Sequence, residues 1–413
     1  MLNTDQTKAA TIVKNGGNVF ISGSGGHGKT FLVNQLKTKR TIVGAPTGAA
    51  ALLVNGMTNH RLFELPIGVL KDSDKFRMKP TTKKVFQKAD MLVLDEVSML
   101  RADMLTLIDA KLKVARECDL PFGGLQTLAV GDFYQLGAFV GQNEKRFYEM
   151  LYGNKVQAFE SDAWDFETVE LTQPMRNTNR AQLEVLQAIR TGVEKEWAIA
   201  QINSIASSVG DMGDDVTHLC AYNKDADTRN NIKYNQLKTP EKTYIAEVKG
   251  DAKVAAKELR VAPVVSLKLG MKCMVVVNDP NDAYVNGTTG EIVQMEDDCV
   301  FLKKDNGEVI VVTPFKFEAI QYQATAKGMS KKVVASMSQI PLVPAWGMSI
   351  HRSQGSTLDK AIINLGGYSF SDALLYVAAS RVRGLEHLAF TRQPTTDDIR
   401  VNQKVVEFYR NNQ

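Results

Sequence analysis

Short apolar runs alternate with amphipathic stretches over residues 1–175. Apolar runs of four or five residues are typical of parallel strands buried on both faces, and helical stretches between them favour helices on both sides of the sheet. The sequence therefore predicts an α/β lobe here, with a small polar insertion at about 57–82 that is broken by Pro66 and Pro80. The candidate strands are NVFIS, TIVGA, MLVLD, QTLAV and ETVEL.

A different pattern occupies residues 242–340. Short runs with alternating apolar positions follow one another, and Asn-Gly pairs at 286–287 and 306–307 separate some of them. Such pairs favour turns between antiparallel strands. We predict a small β-barrel inserted into a second α/β lobe, which is built from residues 176–241 and 341–413. The candidate strands of that lobe are VTHLCAY, AIINL and HLAFT.

Composition narrows the class of protein. The chain has 413 residues, of which 44% are hydrophobic and 23% charged, and its net charge is +4. These values are ordinary for a soluble globular protein, and the charge excess does not by itself indicate nucleic acid. The four cysteines show no metal-ligand spacing, so we predict reduced thiols. Since no signal peptide or long apolar run is present, a cytoplasmic protein with no membrane contact is expected.

Residues 23–30, GSGGHGKT, follow an apolar run and precede an amphipathic one. The spacing fits a phosphate-binding loop, in which glycine backbone N–H groups surround phosphates, a lysine reaches the β- and γ-phosphates, and a hydroxyl binds Mg²⁺. The alternative is a glycine turn without function, which the flanking strand and helix disfavour. The predicted ATP-binding residues of the loop are Gly23, Gly25, Gly26, His27, Gly28, Lys29 and Thr30.

A second candidate site follows the apolar run MLVL and begins with Asp95 and Glu96. The carboxyl end of a buried parallel strand is where ligands of such sheets bind. Together with the phosphate loop, this predicts that Asp95 and Thr30 hold Mg²⁺, and that Glu96 polarises the attacking water. The sequence thus indicates an ATPase.

Five further stretches have simple structural interpretations one at a time, but in this order they resemble the motifs of superfamily 1 helicases. They are APTGAA, QTLAVGDFYQL, LTQPMRN, MSIHRSQGSTLD and LLYVAASRVRGLEHL. Residues 108–136, 267–293 and 339–359 are similar to the Pif family, within the RecD-like group of superfamily 1B. The resemblance extends from about Leu2 to Leu388. It implies two RecA-like lobes, with the inserted barrel in the second.

The resemblance also implies residue roles. Gln6 would read the adenine, Gln135 would sense the γ-phosphate, and two arginines of the second lobe, Arg176 and Arg381, would stabilise the transferred phosphoryl group. Phe133 or Tyr134 would stack on a base, although a buried aromatic at a strand end is an equal alternative. The remaining predicted DNA-binding residues would line a single-strand track, and they are Pro46, Thr47, His60, Ser349, His351 and Arg352.

The resulting hypothesis is an ATP- and Mg²⁺-dependent DNA helicase or single-strand translocase, which acts as a monomer in replication, recombination or repair. Its partners would be single-stranded and duplex or forked DNA. The 5′→3′ direction and a bacterial or phage origin rest on resemblance alone. Because the predicted contacts are mostly to phosphate, an RNA-directed helicase or a nucleic-acid-stimulated ATPase without unwinding remains an alternative. A binding module with a vestigial site and a P-loop ATPase acting on protein are less favoured, since the motif set is complete.

Overall fold

The strands of the first lobe form where the apolar runs predict them. The computed structural model describes residues 2–174, 179–213, 215–251, 253–255, 259, 261–279, 283–304, 306–325, 328–367, 369 and 371–412. Within this part of the chain the first sheet is entirely parallel, with strand order β3-β2-β4-β5-β1-β6. Its strands are β1 (Val19–Ser22), β2 (Thr41–Ala45), β3 (Met57–Thr58), β4 (Met91–Leu94), β5 (Gln126–Gly131) and β6 (Glu167–Glu170).

Alternate residues of these strands enter two different cores, because successive side chains point to opposite faces of a sheet. Val19 and Ile21 pack with Ala9 and Leu32 on one face, whereas Phe20 joins an aromatic core on the other. The helices of this lobe are α1 (Thr4–Lys14), α2 (Lys29–Leu36), α3 (Gly48–Leu53), α4 (Asn59–Leu62), α5 (Pro80–Lys88), α6 (Ala102–Arg116) and α7 (Gln142–Tyr152).

The register of the first sheet brings several strand ends to one edge. Ser22 pairs with both Gly131 and Glu170, and Leu94 pairs with Ala129. The phosphate loop, the segment after β4 and the segment after β5 therefore leave the sheet side by side. This confirms the predicted placement of the carboxylates beside the loop, at the carboxyl edge where α/β sheets bind ligands.

The second lobe is built on a smaller parallel sheet with strand order β18-β7-β19-β20. Its helices are α8 (Arg180–Thr191), α9 (Lys195–Ile205), α10 (Val209–Met212), α11 (Asn223–Gln236) and α12 (Leu374–Ala379). Val185 and Ile189 of α8 pack in the core of this lobe with Leu219 and Ile363. The four strands are β7 (Thr217–Cys220), β18 (Gly347–Ser349), β19 (Ala361–Asn364) and β20 (Leu388–Phe390).

Antiparallel strands between β7 and β18 form sheets of two, five and three strands, and all of them except the exposed β9 contribute to one further core. They confirm the predicted insertion, and their pairing continues to Pro344 because β17 lies against β11. They are β8 (Glu241–Ile245), β9 (Glu247–Gly250), β10 (Val264–Lys268), β11 (Lys272–Val275), β12 (Thr289–Met295), β13 (Val300–Lys304), β14 (Val309–Val312), β15 (Phe315–Thr325), β16 (Gly328–Gln339) and β17 (Leu342–Pro344).

Two elements that follow the first lobe in sequence pack back onto it. Helix α13 (Gln403–Asn411) places Val405, Phe408 and Tyr409 in the aromatic core around Phe20. The long hairpin β15–β16 reaches the same lobe, where the hydroxyl of Tyr322 accepts a hydrogen bond of 3.0 Å from the backbone N–H of Val43. The domain boundaries remain a prediction, but the packing shows that the first lobe is completed by later parts of the chain.

Short 3₁₀ segments connect these elements, and they span Asp72–Phe76, Val97–Met99, Pro121–Gly124, Ala158–Glu160, Leu385–His387 and Thr396–Asp398. The four cysteines are free, as predicted. Among the described residues no helix combines the length and the apolar character that crossing a bilayer requires.

Candidate ATP site between the lobes

The loop after β1 has the backbone of a phosphate cradle. Gly26 has a φ of 84° and Gly28, the N-cap of α2, a φ of 82°. Both values lie in the left-handed region that favours glycine. Gly28 has no side chain that could cap α2, so the first N–H groups of the helix point into the loop, where the helix dipole favours an anion.

Lys29 begins this helix and turns back over the loop. Its Nζ donates hydrogen bonds to the carbonyls of Gly23 and of Ser24, the latter at 3.1 Å. Burial lowers the pKa of Lys29, while Asp132 and Glu96 act in the opposite direction. An ammonium group held in poorly hydrated surroundings gains from a phosphate as its counter-charge.

Two carboxylates lie beside the loop at the end of β4. Burial and the neighbouring charge of Glu96 raise the pKa of Asp95 to about 6. Glu96 has a φ of 48°, which is unusual for a residue other than glycine. Such strained backbone occurs most often at functional sites. Asp95 and Glu96 are half-buried, and the Thr30 residue at the start of α2 is exposed. Carboxylate and hydroxyl oxygens are ligand types that suit a divalent cation.

A cavity of about 690 Å³ extends from the phosphate loop to the second lobe. Its first-lobe lining includes most of the predicted nucleotide-binding and catalytic residues, and these are Gly25, Gly26, His27, Gly28, Lys29, Thr30, Glu96 and Gln135. Helices α8 and α12 and the segment after α12 supply its other wall, with Arg190, Tyr376 and Arg381 among them.

Arg381 is oriented by its own lobe. Its Nε donates to the carbonyl of Val377 at 2.8 Å, and one Nη donates to the Ser380 hydroxyl at 2.7 Å. The same Nη lies 3.7 Å from the point where a side chain at Gly25 would begin. The guanidinium therefore faces the phosphate loop across the cleft, and its contact with the γ-phosphate remains a prediction. Arg176, its predicted companion, lies outside the described residues.

Gln6 serves a structural purpose at the start of α1. Its side-chain oxygen accepts a hydrogen bond of 3.1 Å from the backbone N–H of Asn3, and Asn3 caps the helix in return. Gln6 is 1% exposed and does not line the cavity. Its role in reading adenine stays a prediction.

A second cavity of about 530 Å³ lies next to the first, and the side chain of Gln135 lines both. Exposed His351 belongs to the second cavity, and exposed Arg352 follows it in sequence. Gln135 therefore lies where the two cavities meet. This position fits the predicted link between nucleotide and single strand.

The other predicted track residues have mixed environments. The Thr47 hydroxyl caps α3 by accepting from the backbone N–H of Ala50 at 3.2 Å. Pro46 and His60 are half-buried. Ser349 is 3% exposed, and its hydroxyl has no partner within the described part of the chain. Their contacts with DNA remain predictions.

Phe133 belongs to the aromatic core. Its ring is 3% exposed, and its centroid lies 4.8 Å from that of Phe159 and 5.0 Å from that of Phe20. This arrangement favours the alternative interpretation, a buried aromatic at a strand end, over base stacking.

Sequence reasoning did not select several residues that the fold gathers at the seam between the lobes. Asp132 follows β5 directly, and Arg190 of α8 forms an ion pair of 2.9 Å with it. Gln354 donates hydrogen bonds of 3.3 Å to both Glu96 and Gln135. Asp132 and Gln354 stand inside recognised motif stretches, which was the available signal. Arg190 stands in an ordinary amphipathic helix.

Comparison with known proteins gives one consistent answer. The family model described as PIF1-like helicase matches residues 1–194. The ATP-dependent DNA helicase Pif1 of Bdellovibrio bacteriovorus is 30% identical, over 99% of this chain and 92% of that protein. The Pif1 of a Bacteroides species in complex with ADP-AlF4 is 29% identical, covers 100% of this chain and 97% of its own, and superimposes with a TM-score of 0.91.

The same Bacteroides protein bound to single-stranded DNA covers 100% of this chain and 97% of its own at 29% identity, with a TM-score of 0.71. The arrangement described above is thus more similar to the nucleotide-analogue complex than to the DNA complex.

With near-complete coverage at this identity, and with the expected motifs placed around one inter-lobe cleft, the chain belongs to the PIF1-like helicase family.

Proposed function

We propose that this chain is an ATP-dependent DNA helicase, which hydrolyses ATP in the cavity between its lobes and moves along single-stranded DNA. The observation that carries the proposal is the cavity itself. The phosphate loop lines one wall, and Arg381 faces it from the other lobe. Since one chain supplies both walls, a monomer has a complete ATP site.

The chemistry assigned to the site is phosphoryl transfer to water. The N–H groups of the loop and Lys29 hold the phosphates, and Glu96 lies on the same cavity wall to orient the attacking water. Arg381 stabilises the charge that spreads over the transferred phosphoryl oxygens. Because Arg381 belongs to the other lobe, hydrolysis requires a closed cleft, and opening follows product release.

Thr30 and Asp95 would hold Mg²⁺, since they supply a hydroxyl and a carboxylate beside the loop. A bound cation would favour the ionised form of Asp95, whose pKa burial and Glu96 raise to about 6. When bound, Mg²⁺ neutralises charge on the β- and γ-phosphates. The residues of this chain then need only orient water and donate to the transferred group.

Strand binding is assigned to the second cavity and its surroundings. His351 and Arg352 are exposed there, and Gln135 lines both cavities. Contacts of this kind hold phosphates without reading bases. The 5′→3′ direction follows the family resemblance, and forked DNA is the expected duplex substrate.

The test is ATP hydrolysis with and without single-stranded DNA, with RNA of the same sequence as a second arm. Unwinding is measured in parallel on duplexes with a 5′ tail or a 3′ tail. DNA-stimulated hydrolysis with unwinding from the 5′ tail alone supports the proposal. If RNA alone stimulates hydrolysis, or if neither nucleic acid does, the assignment of DNA as the substrate is overturned. Stimulation by DNA without unwinding reduces the function to translocation.

A further inference from the structure

Arg190 is a buried arginine that joins the two lobes. The apolar side of α8, with Val185 and Ile189, packs in the core of the second lobe. Arg190 points away from that core to the first sheet, where it pairs with Asp132 at 2.9 Å and with Glu170 at 2.8 Å. Its side chain is 2% exposed. It also lines the ATP cavity, although no step of the proposed hydrolysis uses it.

The carboxylate of Asp132 collects donors from both lobes. Besides Arg190, it accepts from the backbone N–H of Tyr134 at 3.1 Å and from the side-chain amide of Gln135 at 3.3 Å. The hydroxyl of Tyr376, on α12 of the second lobe, donates to it at 3.2 Å. Burial alone would raise the pKa of Asp132, but Arg190 lowers it below its ordinary value, so the pair is charged.

The amide of Gln135 is fixed at both ends. Its nitrogen donates to Asp132, and its oxygen accepts from Gln354 of the second lobe at 3.3 Å. Asp132 is held by Arg190 of the second lobe, and Gln354 itself belongs to that lobe. A shift of that lobe must therefore turn or release the side chain of Gln135, which lines both cavities.

We propose that Arg190 is a positioning residue, which sets the orientation of Gln135 through Asp132 and makes ATP hydrolysis depend on the strand bound between the lobes. The inference rests on the proposed function. Arginine suits this position because its planar group offers separate edges to two carboxylates while its face covers a ring. Its guanidinium carbon lies 4.6 Å from the centroid of Tyr134. A lysine in its place can satisfy only part of this set.

A purely structural role of Arg190 predicts a different experimental result from a positioning role. Buried ion pairs contribute little net stability, but removing one partner is costly because the other charge stays buried. A loss of stability therefore cannot distinguish the two roles. The factor by which single-stranded DNA stimulates hydrolysis can, since it measures coupling between the cavities.

The test compares Arg190→Lys with Arg392→Lys. Arg392 makes two hydrogen bonds of 2.7 Å to buried Asp398 in the second lobe, and it lines neither cavity. For each variant, kcat and KM for ATP are measured with and without single-stranded DNA, together with the melting temperature. We expect Arg190→Lys to lower the stimulation factor about tenfold, through kcat rather than KM, as loss of a charged hydrogen bond would. Arg392→Lys should lower the melting temperature and keep the wild-type factor.

The outcomes separate the two claims. A wild-type protein without DNA stimulation refutes the proposed function. If single-stranded DNA stimulates the wild type and the Arg190→Lys variant by the same factor, the positioning role is refuted and the proposed function stands. The same holds if Arg392→Lys loses as much of the stimulation factor as Arg190→Lys does. If Arg190→Lys does not fold, Tyr376→Phe removes one hydroxyl from the same carboxylate and leaves the charges in place. An unchanged stimulation factor in that variant overturns the inference.

Discussion

Replacing Arg381 by alanine should abolish most ATP turnover without unfolding the protein. The residue is 4% exposed, and its donors are fixed by carbonyls and a hydroxyl of its own lobe. Its charge is therefore held in place before any phosphate arrives. An arginine finger contributes about 10³–10⁵ in kcat. The expected loss is at least 10³, or about 4 kcal/mol of transition-state stabilisation.

Stability should fall as well as activity. The alanine variant loses the hydrogen bonds of Arg381 to Val377, Ser353 and Ser380, each of which stabilises the fold, so activity is compared only between folded variants. Arg381→Lys retains the charge but not the planar fork, so its kcat should lie between those of the wild type and the alanine variant. Arg40→Ala is the control, since Arg40 forms an exposed ion pair with Asp90 and should behave as wild type.

The assay is single-turnover hydrolysis with the enzyme in excess over ATP and above its Kd for ATP, with saturating single-stranded DNA, well below the melting temperature of each variant. Single-turnover rates separate the chemical step from product release. DNA affinity is measured on the same samples. A kcat reduced less than tenfold in Arg381→Ala, or a loss confined to DNA affinity, would refute the assignment of Arg381 to the γ-phosphate.

Three other predictions test different parts of the site and fold. Lys29→Ala should abolish hydrolysis and keep most single-strand affinity, because the track lies elsewhere; equal turnover would contradict the loop assignment. Since the pKa of Asp95 is about 6, and protonated Asp95 cannot bind Mg²⁺, kcat/KM for ATP should fall as the pH decreases through about 6; a flat profile would contradict the metal role. Phe408→Ala should lower the free energy of unfolding by roughly 3–5 kcal/mol, measured by urea denaturation, because its ring stacks 4.5 Å from Phe159; a change below about 1 kcal/mol would show that α13 is not anchored there.

The predicted strands of both lobes were confirmed because buried parallel strands have a local signature, a short apolar run between helical stretches. The phosphate loop and the Asp95–Glu96 pair could also be predicted, because each is encoded in a short stretch of sequence. Arg190 could not be found this way, since its partners Asp132 and Glu170 are distant in sequence and reach it only through the tertiary fold. The environment of Phe133 could not be predicted although its motif was recognised. An aromatic residue at a strand end has the same sequence pattern whether it faces a base or a core.

The return of α13 to the first lobe has a consequence for synthesis. Phe20, Phe133 and Phe159 lie early in the chain, yet Phe408 completes their core only after the whole second lobe and the inserted strands have been made. Domains usually fold in order as they leave the ribosome. During synthesis the aromatic surface of the first lobe therefore stays uncovered until the residues of α13 have been added.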